Sequence, residues 1–170
     1  GNDVKIISIA TYKHPFEDKN YSKSFLDKTR FESIYVETKV NIIDAFSSLV
    51  TSDNYNVSRF FSTDFDRALV DVLRKEAFDI IQLESLFMTP YIGTIRRYSK
   101  AKIVLRSHNL EYIIWKRLAN ATSNRAKRVY LNYLAKQLKE YEFAVVKEVD
   151  GIAAISKGDA QRYAEFKSDL

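Results

Sequence analysis

Cysteine is absent from the 170 residues, which excludes disulfides, thiolate metal sites and a cysteine nucleophile. Histidine occurs only as His14 and His108, too few for a histidine-rich zinc centre. Glycine is confined to Gly1, Gly93, Gly151 and Gly158, and proline to Pro15 and Pro90. No two glycines stand close enough for GxGxxG or GxxxxGK[ST], so neither phosphate-cradling loop is complete here. No apolar run approaches the roughly 18–20 residues of a membrane span. The polar start, Gly1-Asn2-Asp3, does not read as a signal peptide, and the cytoplasm is the expected compartment.

What remains is ordinary globular material. Hydrophobic residues make up 46% and charged residues 29%, with a formal net charge of +5. That composition is not that of a disordered chain, and the length suits one domain with one core. Val4–Ala10 (VKIISIA), Phe31–Thr38, Phe78–Leu83 (FDIIQL), Ala101–Leu105 (AKIVL) and Asp150–Ile155 (DGIAAI) read as strands rich in β-branched residues. Residues 11–30 read as a polar loop. Helical spacing appears at Ile42, Ile43, Phe46 and Leu49. It recurs after the Ser62-Thr63-Asp64 cap, with Phe65, Leu69, Val72 and Leu73 on one face. Further helices are expected from Pro90 to Tyr98, over Glu111–Leu118, and from Arg125 to about Val149, where Val129, Tyr133, Leu134, Leu138, Tyr141 and Val145 form the expected buried stripe. Ser156 caps a last helix. Apolar strands alternating with amphipathic helices predict an α/β fold, a Rossmann-like parallel sheet with helices on both faces.

In such sheets ligands bind beyond the carboxyl ends of the strands. Two of those ends are polar: Gln82-Leu83-Glu84-Ser85 and Arg106-Ser107-His108-Asn109. These side chains suit a binding site, with His108 as donor or general acid/base. They suit helix capping equally well, with Ser107 or Asn109 as N-cap and Glu111 in the first turn. A nucleophilic Ser107/His108 pair is disfavoured, because no GxSxG elbow is present. His14, in a loop, reads as a surface residue.

From Arg96 to Lys139 there are twelve Lys or Arg and one acidic residue, Glu111. Such a lopsided segment exceeds what solubility needs and implies a phosphate-bearing partner. Lys116, Arg117, Arg125, Lys127 and Arg128 are expected on one connected exposed face, against an anionic membrane surface, a nucleotide or nucleic acid. Nucleic acid is the weaker choice, since no helix-turn-helix or RNA-recognition signature is present.

Three segments carry a family resemblance: FDIIQLESLFMTPYI (78–92), AKIVLRSHNLEYIIWKRL (101–118) and DGIAAISKGDA (150–160). Together they resemble the N-terminal half of bacterial GT-B glycosyltransferases of family 4, over roughly residues 4–165. The resemblance implies the acceptor-side domain of a retaining, metal-independent enzyme that moves a sugar from a nucleotide-sugar to a glycan or lipid-linked acceptor. No cofactor is implied. His108 matches the histidine that contacts the donor sugar, Glu84 would line the acceptor side, and Arg106, Ser107 and Asn109 would bind substrate. Two departures imply a single incomplete Rossmann-like domain over residues 1–170. The family's first strand, glycine-rich loop and helix are missing before Val4, and its donor-binding C-terminal domain is missing after Leu170. This part alone is then expected to be inactive, with the nucleotide-sugar reaching it through the other domain.

In the family's strand order the missing strand lies between Val4–Ala10 and Phe78–Leu83. Three outcomes are expected: direct closure of these strands, filling by a second copy, or refolding of the N-terminal segment. Self-association is the foremost. A second functional class also stands, a non-enzymatic Rossmann-like domain that docks its basic face on nucleic acid.

Overall fold

The computed structural model describes residues 1–37 and 61–168. The expected helix at residues 41–50, and Thr38 at the end of the second strand, lie outside these. Strand β1 (Ile7–Ala10) leads through helix α1 (Lys23–Lys28) to β2 (Glu32–Tyr35), and the two strands pair in parallel. Helix α2 (Thr63–Lys75) precedes β3 (Ile80–Glu84). A 3-10 segment, Leu86–Tyr91, then runs into α3 (Ile92–Tyr98). Strand β4 (Lys102–Ser107) is followed by α4 (Glu111–Ala121) and α5 (Arg125–Glu148), then β5 (Gly151–Ala154) and α6 (Lys157–Ser168). Strands β3, β4 and β5 form a second parallel sheet in that order. The result is an α/β fold with parallel sheets flanked by helices, as in Rossmann-like domains.

Local chemistry explains the elements. Ser62 Oγ accepts the Phe65 N–H at 3.4 Å, while Asp64 and Asp66 face the positive end of α2 and Arg74 and Lys75 the negative end. Its apolar stripe, Phe65, Leu69, Val72 and Leu73, is buried as the spacing predicts. The Tyr91 hydroxyl, fully buried, accepts the Ser62 N–H at 2.9 Å and so ties the start of α2 to the 3-10 segment. Asp150 explains why β5 opens with an aspartate. Its carboxylate accepts the Ile103 N–H at 2.8 Å and pairs with Arg96 and Lys102, which joins α3, β4 and β5. These bonds hold it well below the usual carboxylate range.

Three expectations need correction. Residues 11–30 are not all loop. Ser22 caps the short α1, and Phe16, Tyr21, Phe25 and Phe31 stack with centroids 5.0–6.4 Å apart. Val129 is not in the buried stripe of α5, since it is 69% exposed. The stripe runs through Leu131, Leu134, Ala135, Leu138, Glu142, Val145 and Val146, and at about 100° per residue Val129 lies on the opposite side of the helix from Leu138. Direct closure of the flanking strands does not occur either. Among the described residues β1 pairs only with β2, and β3 only with β4. A cavity of about 790 Å³ lies between them, lined by both strands and by α2. Arg30 holds the strand starts in place around it, bonding Glu76 just before β3 and Asp3 just before β1.

Candidate functional site

The carboxyl ends of β3 and β4 meet in register, with Glu84 opposite Arg106. Because side chains alternate along a strand, Gln82 and Glu84 share a face, and Arg106 joins them from the neighbouring strand. Arg106 donates to Glu84 Oε2 at 2.9 Å, and Gln82 Nε2 donates to the other carboxylate oxygen. His108, just past the strand, places Nε2 3.0 Å from Glu84 Oε2. The same nitrogen lies 3.5 Å from the Arg106 guanidinium. Arginine can only donate, so that contact would need a lone pair on Nε2, whereas the carboxylate needs a proton there. The shorter, charge-assisted contact assigns the proton to Nε2 and leaves Nδ1 as an acceptor with no partner among the described residues.

Burial alone would push the Glu84 carboxyl up, but hydrogen bonds from Arg106, Gln82 and His108 together hold it below the usual range. The carboxylate is therefore ionised at neutral pH. Glu84, Arg106 and His108 are each nearly half exposed, at 47%, 46% and 44%. Ion pairs so wetted contribute about 0–1 kcal/mol, so fold stability does not account for the cluster. Ser85, immediately after it, has φ 88° and ψ 162°, a conformation close to glycine-only. Its N–H still reaches the Arg106 carbonyl at 3.0 Å, which turns the chain sharply at the mouth of the site.

The other residues of this strand end part company with the cluster. Ser107 is buried, and its hydroxyl bonds the Asn109 carbonyl at 2.9 Å and the Tyr163 hydroxyl at 2.8 Å, so it lies beneath the site. Asn109 is exposed, and its backbone carbonyl makes that bond. Neither residue caps α4 through its side chain. The cap comes from Glu142 on α5, whose buried carboxyl accepts the N–H groups of Glu111 at 2.9 Å and Tyr112 at 3.2 Å. Burial pushes Glu142 up to about 7 despite those two bonds. Burial likewise raises Glu111. Sequence reading missed Glu142 and Tyr163. The one available signal was a glutamate at the helical spacing of the apolar residues Leu131, Leu134, Leu138 and Val145.

Lys116, Arg117, Arg125, Lys127 and Arg128 are all exposed, at the end of α4 and the start of α5 where the two helices join. Three exposed apolar side chains belong to the same two helices: Ile114, Leu118 and Val129. His14 is exposed at the rim of the cavity between β1 and β3, in a turn closed by reciprocal backbone bonds with Thr11 at 3.1 Å. Among the described residues no three His, Asp or Glu side chains gather as a metal-ligand set, and no helix is long and apolar enough to cross a membrane. Compared with protein-family models, curated proteins and solved structures, the chain finds no match.

Proposed function

We propose that this chain is the acceptor-side domain of a retaining glycosyltransferase, acting on a nucleotide-sugar and a glycan or lipid-linked acceptor. The observation that carries the proposal is the half-exposed Glu84–Arg106–His108 cluster at the carboxyl ends of two adjacent parallel strands. Such strand ends are where open α/β sheets bind ligands. Donors and acceptors are both present, as sugar recognition requires. His108 Nδ1 accepts from a sugar hydroxyl, the Arg106 guanidinium donates, and the Glu84 carboxylate accepts while fixing the His108 tautomer. His108 binds sugar rather than attacking it. The exposed basic residues of α4 and α5, interleaved with Ile114, Leu118 and Val129, suit an anionic lipid surface better than a nucleic acid backbone, which has no use for the apolar side chains.

Binding is the property to test, since turnover would need the donor-side domain. Isotope-labelled chain titrated with glycan acceptors and with water-soluble analogues of lipid-linked glycans should show shifts centred on His108 and Glu84. His108→Ala and Glu84→Gln should each weaken that binding about tenfold, the loss of one charge-assisted hydrogen bond, with the fold unchanged by circular dichroism. If no glycan binds, while an oligonucleotide shifts Lys116 through Arg128, the transferase reading is rejected in favour of a nucleic-acid-binding domain.

A further inference from the structure

The Glu84–Arg106–His108 cluster stands beside the N-terminus of α4, the kind of place where Rossmann-like folds ordinarily hold phosphate. Here that place is already filled. Leu110 gives α4 no side-chain cap, so the first N–H groups of the helix would otherwise be open to an anion. Glu142 takes two of them, from Glu111 and Tyr112, and the Leu110 carbonyl takes the third, from Ile113, at 3.0 Å. At the end of β3 the Ser85 N–H is likewise bound, to the Arg106 carbonyl. These backbone donors, which would suit a phosphate, are all engaged within the protein.

The side chains point the same way. Arg106 is the cation of the cluster, and Glu84 meets its charge at 2.9 Å. His108 bonds that same carboxylate. Glu111, in the first turn of α4, brings a second carboxyl close to His108, and Glu142 a third behind the helix start. On α6, Asp159 and Arg162 both lie near the Tyr112 hydroxyl with opposite signs, and they offset each other. Three carboxyl groups thus stand against one arginine at this strand end. The basic excess of the chain, +5 overall, lies instead toward the other end of α4 and the start of α5.

We infer, on the strength of the glycan-binding reading above, that this cluster takes an uncharged sugar and turns away acidic ones, uronic acids and sugar phosphates alike. A sugar hydroxyl can accept from Arg106 and donate to Glu84 or to His108 Nδ1 with no charge left to compensate. A carboxylate or phosphate in the same place meets the ionised Glu84 carboxylate at close range. Arg106 keeps donors to spare, but Glu84 already offsets its charge, so an anion gains no net attraction there. The positive end of the α4 dipole, which would favour the anion, is engaged by Glu142. In a half-exposed site, repulsion at such range costs an acidic sugar about tenfold or more in affinity.

A matched set of probes reads this directly: neutral gluco-, galacto- and manno-oligosaccharides, and the same oligosaccharides with their primary hydroxymethyl groups oxidised to carboxylates. Titrated into the isotope-labelled chain at neutral pH and low salt, the neutral members should shift the His108 and Glu84 signals. The oxidised partner of each binding member should bind at least about tenfold more weakly. Glu84→Gln keeps an acceptor oxygen and removes the charge. Neutral binding falls in that variant, but the ratio between the two partners should shrink toward unity. Raising the salt should narrow the same ratio in the unmodified chain, because repulsion between half-exposed charges is screened. Equal or tighter binding of the oxidised members overturns the inference and leaves the glycan reading standing. So does a ratio that survives both Glu84→Gln and high salt, since the discrimination would then be one of shape. No binding by either set rejects the glycan reading itself, and this inference with it.

Discussion

Replacing Glu142 with glutamine tests the buried cap directly. The carboxyl is 1% exposed and titrates at about 7, against roughly 4.3 for an unfolded glutamate. Between those values the folded chain holds a proton that the unfolded chain has lost. The slope of unfolding free energy with pH is therefore negative, and stability falls as pH rises through this window. At about 1.4 kcal/mol for each pH unit, the loss comes to about 3 kcal/mol between pH 4.5 and 7.5, after which it levels off. Glu111, raised by its own burial, adds a change of the same sign. Glu84 and Asp150, held below the usual range, act oppositely, and their contribution is lost only as pH falls below about 4. Urea unfolding at intervals from pH 5 to 8 should therefore show the unmodified chain losing stability across the range, while Glu142→Gln runs much flatter. The amide oxygen can still accept the Glu111 and Tyr112 N–H groups. Its buried NH₂ shifts the variant by a constant, so the slope is the quantity to read. Parallel curves for the two proteins would refute the assignment of a neutral buried carboxyl to this cap.

Two further outcomes are expected. Ser85→Gly should stabilise the fold by about 1 kcal/mol in urea unfolding, since relief of about 1–3 kcal/mol of strain at φ 88° outweighs glycine's entropy cost of roughly 0.5–1 kcal/mol; a loss of stability would mean that the backbone there is unstrained or that the Ser85 hydroxyl is needed. Binding to anionic vesicles should fall about thirtyfold in a Lys127→Gln/Arg128→Gln double variant, at about 1 kcal/mol per cation, and should weaken with salt; equal binding to neutral vesicles would remove the lipid-surface reading.

The strands and the amphipathic α2 were legible because each is governed by neighbours in sequence. The β-branched runs form β3 and β4, and the spacing of Phe65, Leu69, Val72 and Leu73 shows which face of α2 is buried. The polar strand ends were legible as residue types, but the pairing of Glu84 with Arg106 was not, since it depends on the register of two strands whose ends stand 22 residues apart. What escaped depends on contacts far apart in the chain. Residues 11–30 look polar, yet Phe16, Tyr21 and Phe25 fold that segment around Phe31. Val129 stands four residues before Tyr133 but about half a turn from Leu138, so it falls on the solvent side of α5 once the buried face is fixed by its distant partners. Nor could the capping of α4 be read locally, because its partner stands 31 residues downstream and the local candidates, Ser107 and Asn109, bond each other instead.

The buried cap on α4 also sets how the site responds to pH. His108 projects from the short link between β4 and α4, and both ends of that link are held from below. Ser107 is fixed by Tyr163 on α6, and the first turn of α4 is fixed by Glu142 on α5. Ionising Glu142 strengthens its bonds to the Glu111 and Tyr112 N–H groups but places an uncompensated charge in the core, close to Glu111 and Asp159. One titration near neutrality, that of the buried glutamate at about 7, therefore reaches this loop from the core. Ligand binding measured on either side of that value should change, and the change should persist in His108→Ala and disappear in Glu142→Gln. Retention of the whole change in Glu142→Gln would show that it is not transmitted from this cap.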